Sequence, residues 1–159
     1  MLFDLSRPER SETARRNTNL FHGNIRARDD AIPYAENLIH RTEKGHLVRS
    51  KSELVIANIL HQLGIEYEYE RVCEGTAEPG RLRPDFSFVT PEGDLLLWEH
   101  LGMLQREDYR RGWAWKKAWY DKNGFKAGTT LFTSRDDDRD GLDSAALKAT
   151  AVAIKTLIS

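Results

Sequence analysis

One stretch constrains this chain more than any other: residues 81–102, RLRPDFSFVTPEGDLLLWEHLG. Two short hydrophobic runs, 86–89 and 95–98, flank a turn built on Pro91 and Gly93, a pattern that predicts a β-hairpin. Asp85 stands at the start of the first strand and Glu99 near the end of the second, so antiparallel pairing makes them neighbours. Two adjacent carboxylates repel at pH 7, and the usual resolution is a shared proton or a divalent metal. His100, Leu101 and Gly102 are then expected to leave the sheet.

At 159 residues the chain is long enough for one domain with a sizeable core. Lys and Arg number 24 against 25 Asp and Glu, so bulk charge announces no polyanionic partner; a nucleic acid would need a local basic face. The single Cys73 excludes an internal disulfide and fits a reducing compartment, and nothing beside it suggests more than an ordinary thiol. No signal peptide is expected, and no apolar run comes near the ~20 residues of a membrane helix. A soluble, cytoplasmic protein without membrane contact is the expectation.

Residues 1–45 form a polar extension dotted with arginines, a solvated lead-in or a binding arm, with a short helix expected at 34–39. The main domain is expected over 46–159. Residues 50–63 carry a broad helical apolar face ended by Gly64, and Ser50-Lys51-Ser52-Glu53 matches a capping box. Glu53 thus has a structural role available, with a second role beside the carboxylate pair left open. Residues 65–70 alternate with period two and predict a half-buried strand. Residues 107–123 predict an aromatic helix in which Tyr109, Trp113, Lys116 and Tyr120, spaced by four, three and four, share a face. That stripe turns Lys116 toward the core side, where a bare charge needs a partner, and leaves Lys117 about 100° round the helix. A strand at 129–133 and an amphipathic helix at 144–158 follow. The order predicts an α/β fold with a mixed central sheet flanked by helices on both faces.

The run from Asp136 to Gly141 resembles the opening of an EF-hand loop, but Leu147 occupies the bidentate glutamate position and a strand precedes the run. An acidic loop capping the last helix is the better account. His22, His40, His46 and His61 show no metal-ligand spacing. What remains is Glu53, Asp85, Glu99 and Lys116. Carboxylates on adjacent strand ends suit Mg²⁺, which can activate water against a phosphodiester. The competing structural account has Asp85 capping a turn after Pro84 and Glu99 paired with Lys116.

At these residues the chain resembles the PD-(D/E)XK nuclease superfamily: Pro84-Asp85, then Glu99 fourteen positions on, with Glu53 on the preceding helix. The blocks VRSKSELVIANIL, GIEYEYE, RPDFSF, WEHLG and YRRGWAWKKAWY look like the nuclease-type domain attached to some superfamily-1 DNA helicases. The resemblance implies a restriction-endonuclease-like core and Mg²⁺-dependent cleavage of DNA, with Mn²⁺ as a substitute. It implies Asp85, Glu99 and the main-chain carbonyl of His100 as metal ligands, and Glu53 assisting, by way of a water. The motif lysine is missing, since Leu101 holds its place; Lys116 is the candidate replacement, ahead of Lys117 and the His100 side chain. If none serves, the domain binds nucleic acid or a protein without cutting. Lys51, Arg81, Arg83 and Arg106 are the expected backbone contacts. A helicase or other DNA-processing protein, or a second copy of the chain, is the expected partner.

Overall fold

The computed structural model describes residues 34–137, 139 and 141–159. After a single 3-10 turn at Ala35–Asn37 come β1 (His40–Arg41), β2 (Leu47–Val48), α1 (Lys51–Gln62), β3 (Glu68–Tyr69), β4 (Cys73–Glu74) and β5 (Arg81–Leu82). They are followed by β6 (Phe86–Val89), β7 (Leu95–Leu101), α2 (Glu107–Lys122), β8 (Leu131–Arg135) and α3 (Ser144–Ile158). The central sheet has the order β3-β6-β7-β8. Its first three strands run antiparallel, and β8 joins β7 in parallel. A parallel neighbour requires a crossover, which α2 supplies.

The hairpin forms where the turn residues demand it. Thr90 N–H donates to the Asp94 carbonyl at 2.8 Å, and Gly93 takes a φ of 85° that favours glycine. Phe86 pairs with Trp98 and Val89 with Leu95. The second strand is longer than expected: His100 and Leu101 stay in the sheet, opposite Ser134 and Arg135 of β8. β7 is central, so its last residues find backbone partners on β8 after β6 has ended.

All seven residues of β7 are buried, because helices cover both faces of the sheet. Leu96 and Trp98 join Phe86 and Phe88 against Ile56, Ala57 and Leu60 of α1 and Leu147, Ala151 and Ile154 of α3. On the other face Leu95 and Leu97 meet Trp119 and Tyr120 of α2, with Phe125 and Leu131. The mixed central sheet with helices on both sides is the architecture the element order predicts.

Local departures have local causes. The strand expected at 65–70 pairs only at Glu68–Tyr69, since β3 is an edge and Glu70 turns away with a φ of 49°. The last strand is shifted to Leu131–Arg135 because residues 126–130 close a turn, with Lys126 N–H bonded to Thr130 Oγ1 at 2.8 Å. The helix expected at 34–39 contracts to Ala35–Asn37. β1 pairs with β2 ahead of α1, with Arg41 opposite Leu47. The last helix is capped by Asp143, which accepts from Ala146 N–H at 3.1 Å, rather than by the preceding acidic run. Asp137 of that run closes its own turn on Arg139 and Gly141, while Asp138 and Asp140 lie outside the described residues, as does His22.

Candidate functional site

The register of the hairpin builds the centre of the site. Continued one step beyond Phe86 and Trp98, it sets Asp85 opposite Glu99, both on the α2 side of the sheet. Asp85 Oδ2 accepts from the His100 backbone N–H at 2.7 Å. Glu99, 3% exposed, accepts on Oε1 from Tyr120 at 2.5 Å and lies 2.6 Å from Lys116 Nζ. Both donors use the same oxygen, so Oε2 of Glu99 and Oδ1 of Asp85 stand outside these bonds. The ion pair between Glu99 and Lys116 foreseen in the structural account is therefore present, and the turn cap foreseen for Asp85 is replaced by its bond to β7.

Electrostatics follow from the crowding. Burial, then repulsion from Glu99, holds the Asp85 carboxyl well above the usual aspartate range; Glu53 adds to this and Lys116 opposes it. For Lys116 burial pulls downward, but the carboxylates of Glu99 and Asp85 push the ammonium above the ordinary lysine value. Burial and Glu99 together raise the Tyr120 phenol well above its usual range.

Glu53 sits in the first turn of α1, 8% exposed. Its N–H donates to Ser50 Oγ at 3.1 Å, and the serine hydroxyl returns a bond to Glu53 Oε1 at 2.9 Å. The cap exists, closed between side chains rather than back to the serine backbone. Oε2 accepts from Tyr69 at 2.8 Å. Burial raises the Glu53 carboxyl despite these bonds, with Glu70 adding repulsion. Glu70 is held by Arg49, whose Nε and Nη2 meet its two oxygens at 2.5 and 3.0 Å.

The His100 side chain faces away from the carboxylate pair. Trp98 Nε1–H donates to Ser134 Oγ at 2.9 Å, the hydroxyl lies 2.7 Å from His100 Nδ1, and Nε2 lies 2.7 Å from Asp136 Oδ1. The pattern assigns the tautomer protonated at Nε2, donating to Asp136. This imidazole is committed on the α1–α3 face and does not stand in for a lysine beside Glu99. Its main-chain carbonyl is 3.5 Å from the Tyr109 hydroxyl, which accepts from Gly102 N–H at 3.2 Å. Lys117 is exposed. Of the three replacements considered, Lys116 alone reaches the pair.

The expected backbone contacts differ in their surroundings. Lys51 and Arg81 are exposed, Arg83 donates to the Glu70 carbonyl at 2.8 Å, and Arg106 pairs with Asp108 at 2.7 Å. Among the described residues no three His, Cys, Asp or Glu side chains gather into a metal-binding group. The oxygen set available is two carboxylates and one carbonyl, and hard oxygens of this kind with added waters suit Mg²⁺.

Tyr109 and Tyr120, known from the sequence only as members of the aromatic stripe, join the site, as do Tyr69, Arg49 and Glu70. The first two bracket Lys116 on the aromatic stripe, and that spacing was the available signal. No spacing signals the meeting of Arg49 with Glu70, which depends on how β3 approaches α1.

The chain is similar to an uncharacterized protein of Methanocaldococcus jannaschii, 43% identical over 118 residues, which are 73% of this chain and 10% of that protein. The chain thus spans about a tenth of the length of the curated relative it matches. No family model matches, and no solved structure matches. Among the described residues no helix is long and apolar enough to cross a membrane.

Proposed function

We propose that the protein is a metal-dependent nuclease of the PD-(D/E)XK type, hydrolysing phosphodiester bonds in DNA on a restriction-endonuclease-like core. The observation that carries this reading is the meeting of Asp85, Glu99 and Lys116. Two carboxylates from adjacent strands share one ammonium from the following helix, although the motif position itself holds Leu101. In this reading Asp85, Glu99 and the His100 carbonyl hold Mg²⁺, or Mn²⁺ in its place, with Glu53 reached through a water. When bound, the ion lowers the pKa of an attacking water and offsets negative charge on the phosphoryl oxygens. Lys116 orients that water or neutralises the same charge, and Tyr120 fixes the Glu99 carboxylate between them. Lys51, Arg81, Arg83 and Arg106 supply contacts to the backbone, which makes binding fall steeply with salt.

The resemblance to domains carried beside helicases makes a helicase or other DNA-processing protein the partner class, in the cytoplasm. A second copy of the chain would serve to cut both strands. The test is incubation of purified protein with single- and double-stranded DNA and Mg²⁺ or Mn²⁺, beside Asp85→Ala. Cleavage that requires metal and vanishes in the variant supports the nuclease. Cleavage surviving in the variant, or none on any substrate from folded protein, rejects it.

A second reading is favoured by the closed ion pair between Lys116 and Glu99 and by the missing motif lysine. It is a catalytically silent module that binds nucleic acid or, through the 54% exposed Trp115 on α2, a protein. Salt-sensitive DNA binding without metal-dependent cleavage would favour the first form. A complex lost in Trp115→Ala and kept in Asp85→Ala would favour the second.

A further inference from the structure

A cavity of about 580 Å³ opens between the β1–β2 ribbon and β3, lined among others by Arg41, Lys44, His46, Tyr67 and Tyr69. Its volume is that of a small-molecule or nucleotide site. The His46 ring stacks on Tyr69 with centroids 5.4 Å apart and planes at 27°, and meets Tyr67 edge-on at 5.5 Å. His46 Nε2 lies 2.7 Å from the Tyr67 hydroxyl, so the rings are locked to one another. Burial pushes the Tyr67 phenol up to about 12, which keeps its hydroxyl protonated at neutral pH.

Two cations flank these rings. Lys44 Nζ stands 4.3 Å from the Tyr67 ring centroid and bonds the Tyr67 carbonyl at 3.0 Å. Arg41 Nη1 bonds the Gly45 carbonyl at 2.7 Å and its side chain is exposed. Lys44 also lies 3.8 Å from Glu66, which is 91% exposed, so that pair is weak, and Glu68 lines the cavity as well. Rigid rings beside cations match a nucleotide, with the base on the aromatic surface and the phosphate on the side chains. Tyr69 links the cavity to Glu53 of α1: its hydroxyl donates to Glu53 at 2.8 Å and accepts from Arg49 N–H at 3.2 Å.

We infer that this cavity is a base-stacking subsite for an unpaired nucleotide of the substrate strand, on the Glu53 side of the site. A base can leave its stack for such a surface only when it is unpaired, so the substrate class is single-stranded DNA or a duplex with a single-stranded flank. The inference rests on the nuclease reading for its chemistry, but it makes a separate statement about binding.

The test is titration of the intact chain, without divalent metal, against a fluorescein-labelled oligodeoxyadenylate and a blunt duplex of equal length. The wild type should prefer the single strand. His46→Ala should weaken single-strand binding about tenfold, the effect of losing one stacking contact, and leave duplex binding within about twofold. Arg41→Gln, a surface change that does not depend on the ring packing, should reduce the slope of log affinity against log salt by about one. Single-strand binding unchanged in both variants, or equal losses on strand and duplex, overturns the subsite. The two readings fail separately. Metal-dependent cleavage with no effect of either variant on binding rejects the subsite alone. Binding that depends on His46 and Arg41, with no cleavage of any substrate, rejects the nuclease and keeps the subsite.

Discussion

Lys116 reaches across from α2 to put its Nζ 2.6 Å from Oε1 of Glu99, at the buried centre of the sheet. Tyr120, one turn further along the same helix, donates to that oxygen at 2.5 Å. The buried carboxylate is thus neutralised by a charge that the chain supplies from a different element. Around Asp85, repulsion from Glu99 and Glu53 is opposed by Lys116 and by the His100 backbone N–H.

Replacing Lys116 should therefore hurt both stability and chemistry. Lys116→Ala leaves two crowded carboxylates uncompensated and should cost about 3 kcal/mol in urea unfolding. It should also slow cleavage by roughly a hundredfold or more. Lys117→Ala, at an exposed position, should stay within about 0.5 kcal/mol of wild type and cleave normally. Equal losses in the two variants would show that the wrong lysine has been assigned.

Asp85→Asn should stabilise the metal-free protein at neutral pH while abolishing cleavage. The raised carboxyl binds more protons folded than unfolded, so its favourable contribution is complete below the ordinary value of 3.8 and is lost as pH rises through the folded value. Asparagine keeps an oxygen for the His100 N–H and removes the charge. The gain expected at pH 7 is about 1 kcal/mol, or roughly 3 °C in Tm, shrinking as the solution is acidified. Thermal scans by circular dichroism across the acid range decide it, and a variant less stable than wild type at pH 7 would contradict the assignment.

Tyr120→Phe removes one of two donors to a buried carboxylate and leaves Lys116 in place. A loss of about 1–2 kcal/mol in denaturant unfolding is expected. No measurable loss would mean that the ammonium alone satisfies Glu99.

Gly75 is a purely structural test of how the β4–β5 ribbon meets α2. An added methyl there would stand 2.6 Å from Trp119 Cζ2 and from Asn123 Cγ, whose amide oxygen already accepts from Thr76 N–H at 2.8 Å. Gly75→Ala should cost about 2 kcal/mol, read as a lowered denaturation midpoint, without changing the Asp85 site.

Much of the fold is legible in local pattern. The turn between Thr90 and Asp94, the alternation of Phe86 and Phe88 against Ser87, and the stop at Gly64 all follow from steric and periodic rules that act within a few residues. The opposition of Asp85 and Glu99 is legible for the same reason, since a hairpin's turn sets its register. The inward turn of Lys116 is likewise written in the Tyr109–Trp113–Lys116–Tyr120 spacing, although that spacing does not say what the lysine meets.

Sequence by itself determined the helices, the hairpin and the neighbouring carboxylates, because each depends on interactions between residues close along the chain. Only the tertiary structure decided that Lys116 meets Glu99, that the His100 ring is spent on Ser134 and Asp136, and that Arg49 clamps Glu70. It also decided that His46 stacks on Tyr69 beside Glu53. These contacts join segments far apart in sequence, and their geometry is set by how helices and edge strands pack on a twisted sheet. No periodicity or spacing encodes that relation, since it emerges only when the whole core closes.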